Sequence, residues 1–160
     1  MPEADHEKYM RRCIALAKEG SEKGAGGPFA AVIVKDGQVI GESYNRVVAD
    51  NDATAHGEVS AIRNACQNLG TFDLGGATMY TAGECCPMCY AAAWWARIGE
   101  IYYAASMLDA QQYGDFDDIP ITESFKLPND QRKVPMRQLL RDDMVKVWQE
   151  FFSHPGHVHY

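Results

Sequence analysis

Two short motifs, about 30 residues apart, constrain this chain most, because each stands where a helix is predicted to begin. His56 and Glu58 form a His-x-Glu motif, and Cys86 and Cys89 form a Cys-x-x-Cys motif. Two thiolates at that spacing can reach one ion, and the positive end of the helix favours their charge. With one imidazole they form a three-ligand zinc shell whose fourth position is left for water. The motifs therefore predict a fold in which two helix starts meet around one metal ion.

Glu58 is the residue expected to move protons beside such an ion. Zinc lowers the pKa of its bound water toward 7 and so supplies a hydroxide nucleophile. A carboxylate that does not ligate the metal can take the water proton and pass it to a leaving nitrogen. Two other interpretations of Cys86 and Cys89 stay open, a redox dithiol or half of a structural zinc site. The chain has no second Cys-x-x-Cys motif, and the combined motifs favour catalytic zinc.

Length and charge narrow the classes of function. A chain of 160 residues with 46% hydrophobic residues is typical of one globular domain. No apolar stretch reaches the roughly 18 residues of a membrane helix, and the charged N-terminal residues do not resemble a signal peptide. We therefore expect a cytoplasmic protein without a membrane partner. The net charge of -7 disfavours a nucleic-acid partner, since neutralisation of phosphates dominates such binding.

The hydrophobic pattern predicts strands that alternate with helices. Helices are predicted over 6–23, 56–69, 86–97 and 136–153, and strands over 29–35, 38–45, 77–82 and 100–106. Asp36 and Gly37 predict a hairpin turn between the first two strands. The region 107–135 is expected to be less regular. This order indicates an α/β layered fold around a mixed sheet.

Four segments carry a resemblance to a known family: 26–37, 51–66, 84–97 and the Phe-Asp-Asp run at 116–118. Through them the sequence resembles the cytidine/deoxycytidylate deaminase superfamily of zinc-dependent nucleobase deaminases, and within it the bacterial guanine deaminases. The resemblance implies a three-layer α/β/α sandwich with a central five-stranded mixed sheet over residues 1–160. It implies a homodimer in which the segment 136–160 is exchanged between subunits.

The same resemblance implies a metal site and a reaction. One Zn²⁺ per subunit would be held by His56, Cys86 and Cys89, with Glu58 as the proton shuttle. The reaction would be the hydrolytic deamination of a nucleobase, guanine to xanthine plus ammonia. The enzyme would then be a hydrolase acting on the C–N bond of a cyclic amidine.

Two polar residues are candidates to read the edge of the base. Asn45 offers a donor and an acceptor together, although an asparagine that only forms a turn is the alternative. Asp118 can only accept hydrogen bonds, so it would select a ring edge with N–H donors, such as that of guanine. Asp115 and Asp117 remain alternatives, because an extra residue in this loop shifts it relative to the family pattern.

Three aromatic residues are candidates to enclose the base. Phe29 and Trp95 are expected to stack on the ring, with Trp94 as a competitor for the second position. Tyr160 resembles a terminal tyrosine that closes the pocket in guanine deaminases.

Two residues depart from the family pattern. Cys85 replaces a proline, and we expect a silent replacement rather than a competing ligand or an oxidation-prone thiol. Gly57 replaces a frequent alanine, and we expect it to leave more room beside the metal and the substrate.

His-Gly-Glu also occurs in fungal cytosine deaminases, so other substrates stay open: guanosine, cytosine or isocytosine-like pyrimidines, and ammeline-like aminotriazines. A tRNA adenosine deaminase and a non-catalytic zinc-binding protein are the more distant alternatives.

Overall fold

The computed structural model describes residues 3–158, and it contains two compact units, one ending at Asp118 and one beginning at Ile119. The first unit holds the sheet. Its helices are α1 Glu3–Glu22, α2 Val47–Asp50, α3 Gly57–Leu69, α4 Pro87–Trp95 and α5 Met107–Gly114, and its strands are β1 Ala30–Lys35, β2 Gln38–Tyr44, β3 Thr78–Gly83 and β4 Glu100–Ala105. Among the described residues no helix is long and apolar enough to cross a membrane.

The sheet is mixed, with the strand order β2-β1-β3-β4. Strand β1 pairs antiparallel with both β2 and β3, whereas β3 and β4 are parallel. Four strands are present in residues 3–158, not the five that the family resemblance implies. After β4 the chain turns into helix α5 instead of adding an edge strand. The α/β class and the mixed sheet are confirmed.

The alternation of side chains along β1 builds a core on each face of the sheet. Ala31 and Ile33 pack in a cluster with buried residues of α3 and α4. Val32 and Val34 point to the other face and pack in a cluster with buried residues of α1. Because β1 is buried on both faces, its sequence is a continuous apolar run. The predicted helix–sheet–helix layering is therefore present.

The hairpin turn and one edge of the sheet have clear local causes. Asp36 and Gly37 both have positive φ, 51° and 76°, as a tight two-residue hairpin turn requires. At the outer edge of β2, the side-chain amides of Asn64 and Asn68 on α3 donate hydrogen bonds to the carbonyl oxygens of Glu42 and Ile40, at 3.0 and 2.9 Å. Those carbonyl groups are thereby satisfied without another strand.

The expectation of an irregular segment after β4 was wrong. Helix α5 begins directly after Ser106, whose hydroxyl accepts a hydrogen bond from the Asp109 backbone N–H, while the Asp109 carboxylate accepts one from the Ser106 N–H. This reciprocal capping box fixes the first turn of the helix. α5 ends in the left-handed residue Asp115, at φ 58°.

The second unit contains helix α6 Ile119–Phe125, a short 3₁₀ helix Asn129–Gln131, and helix α7 Arg141–Ser153. The last helix begins later than the predicted residue 136, because Leu140 has a left-handed backbone with φ 53°. No residue of α7 is buried, and Met144, Val147, Trp148 and Phe151 form an exposed apolar side.

Candidate active site

The starts of α3 and α4 bring the predicted metal ligands together. His56 is the residue that precedes the first turn of α3, and Cys86 precedes the first turn of α4. Both have extended backbones, with ψ of 154° and 163°. Pro87 occupies the first position of α4, where a missing N–H costs no hydrogen bond. Cys89 follows within the first turn of the same helix, so its thiol can face the same point as that of Cys86.

The three ligand atoms have the spacing of a zinc site. The His56 Nδ1 atom lies 3.7 Å from Cys86 Sγ and 3.5 Å from Cys89 Sγ. All three ligand atoms lie within 4.8 Å of one another. Zn–N and Zn–S bonds of about 2.1 and 2.3 Å in a tetrahedron place nitrogen and sulfur about 3.6 Å apart. The side chains therefore fit Zn²⁺ with three protein ligands and one open position.

The charges of this cluster also suit a metal ion. The pKa of the Cys86 thiol is lowered to about 4, because its thiolate accepts hydrogen bonds from Cys89 and then from His56. The pKa of Cys89 is raised, because this thiol keeps the proton that it donates to Cys86. The hydrogen bond to Cys86 likewise raises the pKa of His56. The cluster thus holds a thiolate, which is the form that binds metal.

Glu58 lies next to this cluster, and one of its two carboxylate oxygens has no hydrogen-bond partner among the described residues. Only 4% of the residue is exposed, and its Oε2 is a buried oxygen without a hydrogen-bond partner among the described residues. Burial raises the pKa of this carboxyl group. Buried polar atoms are nearly always hydrogen-bonded, so an unpaired one needs a specific explanation. A water or substrate atom held beside a metal would supply the missing partner.

His56, Glu58 and Cys86 all line one cavity of about 430 Å³ in the first unit. That volume lies at the lower end of the range for small-molecule sites. The remaining wall residues include Gly26, Gly27, Phe29, Asn45 and Glu84, together with Asp115, Phe116, Asp117 and Asp118. The site is therefore a cavity for a small molecule with the candidate metal ligands in its wall.

Asn45 is buried in this wall and forms a turn at the same time. Its Oδ1 accepts a hydrogen bond from the backbone N–H of Val47 at 3.1 Å, and its own N–H donates to the Phe29 carbonyl at 2.7 Å. The amide oxygen is therefore engaged, which leaves the NH₂ group of Asn45 to donate to a ligand. The turn-forming and ligand-facing interpretations are compatible.

The loop after α5 brings three carboxylates to the cavity. Asp115, Asp117 and Asp118 all line it, but only Asp118 is half-buried, while the other two are exposed. Burial, and then the negative charge at Cys86, raise the pKa of Asp118. Asp118 is thus the loop carboxylate most removed from solvent.

The sequence and the fold match one family of proteins. Residues 3–105 match the model of the cytidine and deoxycytidylate deaminase zinc-binding region. The chain belongs to this deaminase family. It is 43% identical over 150 residues, 92% of this chain, to the guanine deaminase of Bacillus subtilis (strain 168), and covers 96% of that protein. It is 42% identical over 102 residues, 64% of this chain and 66% of the relative, to a tRNA-specific adenosine deaminase of Agrobacterium fabrum.

A solved structure agrees with the sequence matches. The crystal structure of guanine deaminase from Bacillus subtilis has a TM-score of 0.92 to this chain at 42% identity, covering 97% of this chain and 98% of the other. The chain is accordingly a zinc-dependent hydrolase of carbon–nitrogen bonds. The cofactor prediction, Zn²⁺, is confirmed at the level of the family.

Two predicted substrate residues of this deaminase, Trp95 and Gly57, are not among the described residues that line the cavity. Phe29 does line it, but Trp95 lies at the end of α4, is 61% exposed and is not among the lining residues. Its competitor Trp94 is 71% exposed on the same helix. Tyr160 lies outside the described residues.

The expected role of Gly57 was wrong. A Cβ atom on this residue would lie 2.6 Å from the Cα atom of Ala30, so the backbone of β1 fills the space that the sequence interpretation left open. Gly57 is buried and does not line the cavity. Glycine here permits the close approach of α3 to the sheet, and it makes no room for substrate.

The unusual Cys85 is not a member of the ligand cluster. Its side chain packs against the core cluster formed by β1, β3, α3 and α4. Burial, and then the negative charges of Glu58 and Cys86, raise the pKa of this thiol to about 12. Cys85 therefore stays protonated and packs as a small apolar residue, which agrees with the expectation that it replaces proline without a functional effect.

Glu84 and Phe116 are among the wall residues of the deaminase site that sequence reasoning missed. The Glu84 carboxylate accepts a hydrogen bond from the backbone N–H of Met107 at 2.9 Å, which ties the cysteine loop to the start of α5. Phe116 packs edge to face against Phe29. The position of Glu84 directly before the cysteine cluster was an available signal. Nothing in the sequence pairs Phe116 with Phe29.

Proposed function

We propose that this enzyme deaminates a nucleobase by hydrolysis, converting guanine to xanthine and ammonia. The observation that carries the proposal is the buried Glu58 carboxylate, one oxygen of which has no hydrogen-bond partner among the described residues, beside a three-ligand zinc site in a cavity that also presents Asn45 and Asp118. The high identity to a guanine deaminase over nearly the whole chain supports guanine as the base.

His56, Cys86 and Cys89 are the proposed ligands of Zn²⁺. When bound there, the ion lowers the pKa of a ligated water toward neutrality and so supplies a nucleophile. The chain contributes an imidazole and two cysteine sulfurs, and the proton that Cys89 holds in the metal-free cluster is released when the metal binds. Both sulfurs lie at the start of α4, whose partial positive charge favours their anionic form. One open position is left for the reacting water.

Glu58 is the proposed proton carrier. Its carboxylate takes a proton from the attacking water as the oxygen bonds to C2 of guanine, and it gives that proton to the neighbouring ring nitrogen. The new hydroxyl group on C2 then gives its proton through Glu58 to the 2-amino nitrogen, the C2–N bond breaks as the C2=O bond forms, and ammonia leaves. Burial raises the pKa of Glu58 above that of an exposed carboxyl group, which is the direction of shift that a group giving as well as taking a proton requires.

Asp118 and Asn45 are proposed to orient the base, with Phe29 against its face. A carboxylate accepts from the N–H donors of the guanine edge, and the NH₂ group of Asn45 donates to a ring acceptor. Adenine lacks an N–H at the equivalent ring position, so the pair favours guanine. Asp115 and Asp117 are exposed and are weaker candidates for this role.

The test is a panel of ammonia-release assays with zinc-loaded protein. Guanine, guanosine, cytosine, adenine and ammeline are offered at equal concentration, with Glu58→Gln as the inactive control. We expect release from guanine at a rate that exceeds every other substrate. If another compound releases ammonia faster than guanine, that compound replaces guanine as the proposed substrate. If none of the five compounds releases ammonia, the enzyme proposal is refuted.

A tRNA substrate is an outcome that the same assays address. Relatives named as tRNA-specific adenosine deaminases align with this chain either over a smaller part of it or at lower identity than the guanine deaminase does. The net charge of -7 opposes binding to a polyanion. We expect no salt-dependent binding of tRNA. Binding that weakens steeply with salt, together with deamination of adenosine in tRNA, would favour that function instead.

We also propose a homodimer in which the segment from about residue 136 to the C-terminus is exchanged between subunits. The apolar side of α7 supports this, because an exposed stripe of large apolar side chains usually marks an interface. Trp95 and Tyr160 keep their proposed substrate roles within such an assembly. The cytoplasm is the proposed compartment, and the five free cysteines fit a reducing environment.

A further inference from the structure

Phe116 occupies a slot whose walls are two glycines and a second aromatic ring. The rings of Phe116 and Phe29 meet edge to face, with centroids 4.8 Å apart and planes at 84°. A Cβ atom on Gly27 would lie 2.8 Å from Phe116 Cζ, and one on Gly114 would lie 3.1 Å from Phe116 Cδ2. Any side chain at residue 27 would therefore displace the ring.

Glycine at residue 27 supplies space rather than backbone freedom. Gly27 is not among the glycines with positive φ, so an alanine could adopt its backbone conformation. The nearest atoms to the added Cβ are Cζ and Cε1 of Phe116, at 2.8 and 3.2 Å, and Cδ2 of Phe29, at 3.2 Å. The choice of glycine is thus explained mainly by the ring of Phe116.

The slot holds the loop that carries the acidic residues. The Phe116 backbone N–H donates a hydrogen bond to the Ala110 carbonyl at 3.2 Å, directly after the left-handed end of α5. Asp118 follows two residues later and lines the cavity that Phe116 also lines. Two residues of extended chain span at most about 7 Å, so fixing Phe116 restricts the position of the Asp118 carboxylate.

We propose that Gly27 and Phe116 are a positioning pair that sets the place of Asp118 and thereby the selectivity for a ring edge with N–H donors. The inference rests on the proposed function, because Asp118 reads a base only if the base binds in this cavity. Phe116 acts through Asp118, and Gly27 acts by leaving room for Phe116. Neither residue takes part in the proton transfers.

The first arm of the test compares Gly27→Ala, Phe116→Leu and the double variant, all zinc-loaded, by kcat and KM for guanine. Leucine lacks the Cε1 and Cζ atoms that crowd residue 27. We expect Gly27→Ala alone to lower kcat/KM by at least about tenfold, mainly through KM, since small misplacements of positioning groups cost up to about a hundredfold. In the Phe116→Leu background the same change should cost less than about threefold. If the losses of kcat/KM in the two single variants simply multiply in the double variant, the proposal that Gly27 and Phe116 act as a pair is refuted.

The second arm needs no change at Gly27, so it stands even if Gly27→Ala does not fold. Phe116→Leu is measured in the wild type and in the Asp118→Ala variant. If Phe116 acts through Asp118, it lowers kcat/KM in the wild type but changes it by less than about twofold without Asp118. An equal loss in both backgrounds would overturn the proposal.

Gly99→Ala is the matched control, because its added Cβ would meet its nearest atom at an ordinary 3.4 Å. We expect it to keep wild-type kcat/KM, and all variants to keep one zinc per chain. A wild type that is inactive on guanine but active on another base refutes the proposed substrate, and the two arms are then run with that base. Inactivity on every base refutes the pair as well.

Discussion

Glu58 is a residue whose placement works against stability. A buried polar atom without a partner costs about 1–3 kcal/mol, more when it is charged. Glu58 is 4% exposed and its Oε2 lacks a partner among the described residues. Such a group is retained for catalysis. We therefore expect Glu58→Gln to lower the activity of the zinc-loaded enzyme but to raise the stability of the metal-free protein.

In the zinc-loaded enzyme, Glu58→Gln removes the proton carrier but keeps the shape of the side chain. We expect kcat to fall at least about a hundredfold, the usual scale of general acid–base catalysis, with one zinc still bound per chain. Steady-state kinetics and metal analysis check the two halves. Loss of zinc in this variant would instead make Glu58 a ligand.

In the chelated, metal-free protein, Glu58→Gln should stabilise the fold. Burial raises the pKa of Glu58 above 4.5, so above that raised pKa the folded protein holds an ionised carboxylate that is removed from bulk solvent. Below the unfolded pKa the acid is protonated in both states and this cost vanishes. We expect the variant to gain about 1–3 kcal/mol in the free energy of unfolding at pH 8 and little at pH 4.

Denaturant unfolding at both pH values measures that difference. The exposed Glu150 provides the matched control, since Glu150→Gln should change stability little at either pH. A gain for Glu58→Gln that does not depend on pH would contradict the burial argument.

Some residues of the site could be predicted from the sequence and others could not, because only local patterns can be read from a single sequence. His56, Glu58, Cys86 and Cys89 were predicted because their chemistry and spacing are local properties of two short segments. The tight approach of Gly57 to Ala30, by contrast, is a contact between segments that are distant in the chain. No local pattern reports such a contact, so glycine was misread there as open space.

At the scale of elements, alternation and turn residues predicted the four strands and the helices α1, α3 and α4, but not the four-residue helix α2. Helix α5 was missed because its apolar pattern is weak over only eight residues. Ser106 and Asp109, three residues apart, were nevertheless a readable start signal. The absence of a fifth strand among residues 3–158 follows from the same helix, because only Ser106 separates the end of β4 from the start of α5.

The edge of β2 gives a prediction about an element. Asn64→Ala together with Asn68→Ala would leave the carbonyl groups of Glu42 and Ile40 without their side-chain donors. We expect a loss of about 1–3 kcal/mol in the free energy of unfolding, since each bond contributes about 0.5–1.5 kcal/mol. We also expect more self-association, because an uncovered edge strand pairs with other chains.

Chemical denaturation and light scattering measure the two effects. Gln67→Ala, on the same exposed stretch of α3, is the matched control and should change neither. Unchanged stability in the double variant would show that water replaces both donors at no cost.

At the scale of the whole molecule, the apolar side of α7 predicts an assembly. Val147, Trp148 and Phe151 are 52%, 62% and 51% exposed, which is unusual for three large apolar residues on one helix side. We expect a dimer of twice 17.8 kDa, about 36 kDa, and we expect Trp148→Glu to shift it toward monomer. Activity should fall with the dimer if the exchanged segment completes the site.

Size-exclusion chromatography with light scattering reports the mass, and Gln149→Glu is the control because it adds the same charge one position along the helix. A wild type that is monomeric at micromolar concentration would refute the exchange. The amphipathic pattern of α7 could be predicted from the sequence, but its packing partner could not. The pattern indicates that one face of the helix is covered, and it does not say by which chain.

The hydrogen bond from Met107 to Glu84 has a consequence for how this enzyme can diversify. It fastens the segment that supplies the sulfur ligands to the beginning of the helix that leads to the acidic loop. The reactive half is thereby anchored, while Asp115 and Asp117 in the loop beyond that helix are exposed and can accept change. A preference for a different ring can therefore evolve through substitutions at a few loop positions, while the residues that bind the metal and activate the water stay unchanged.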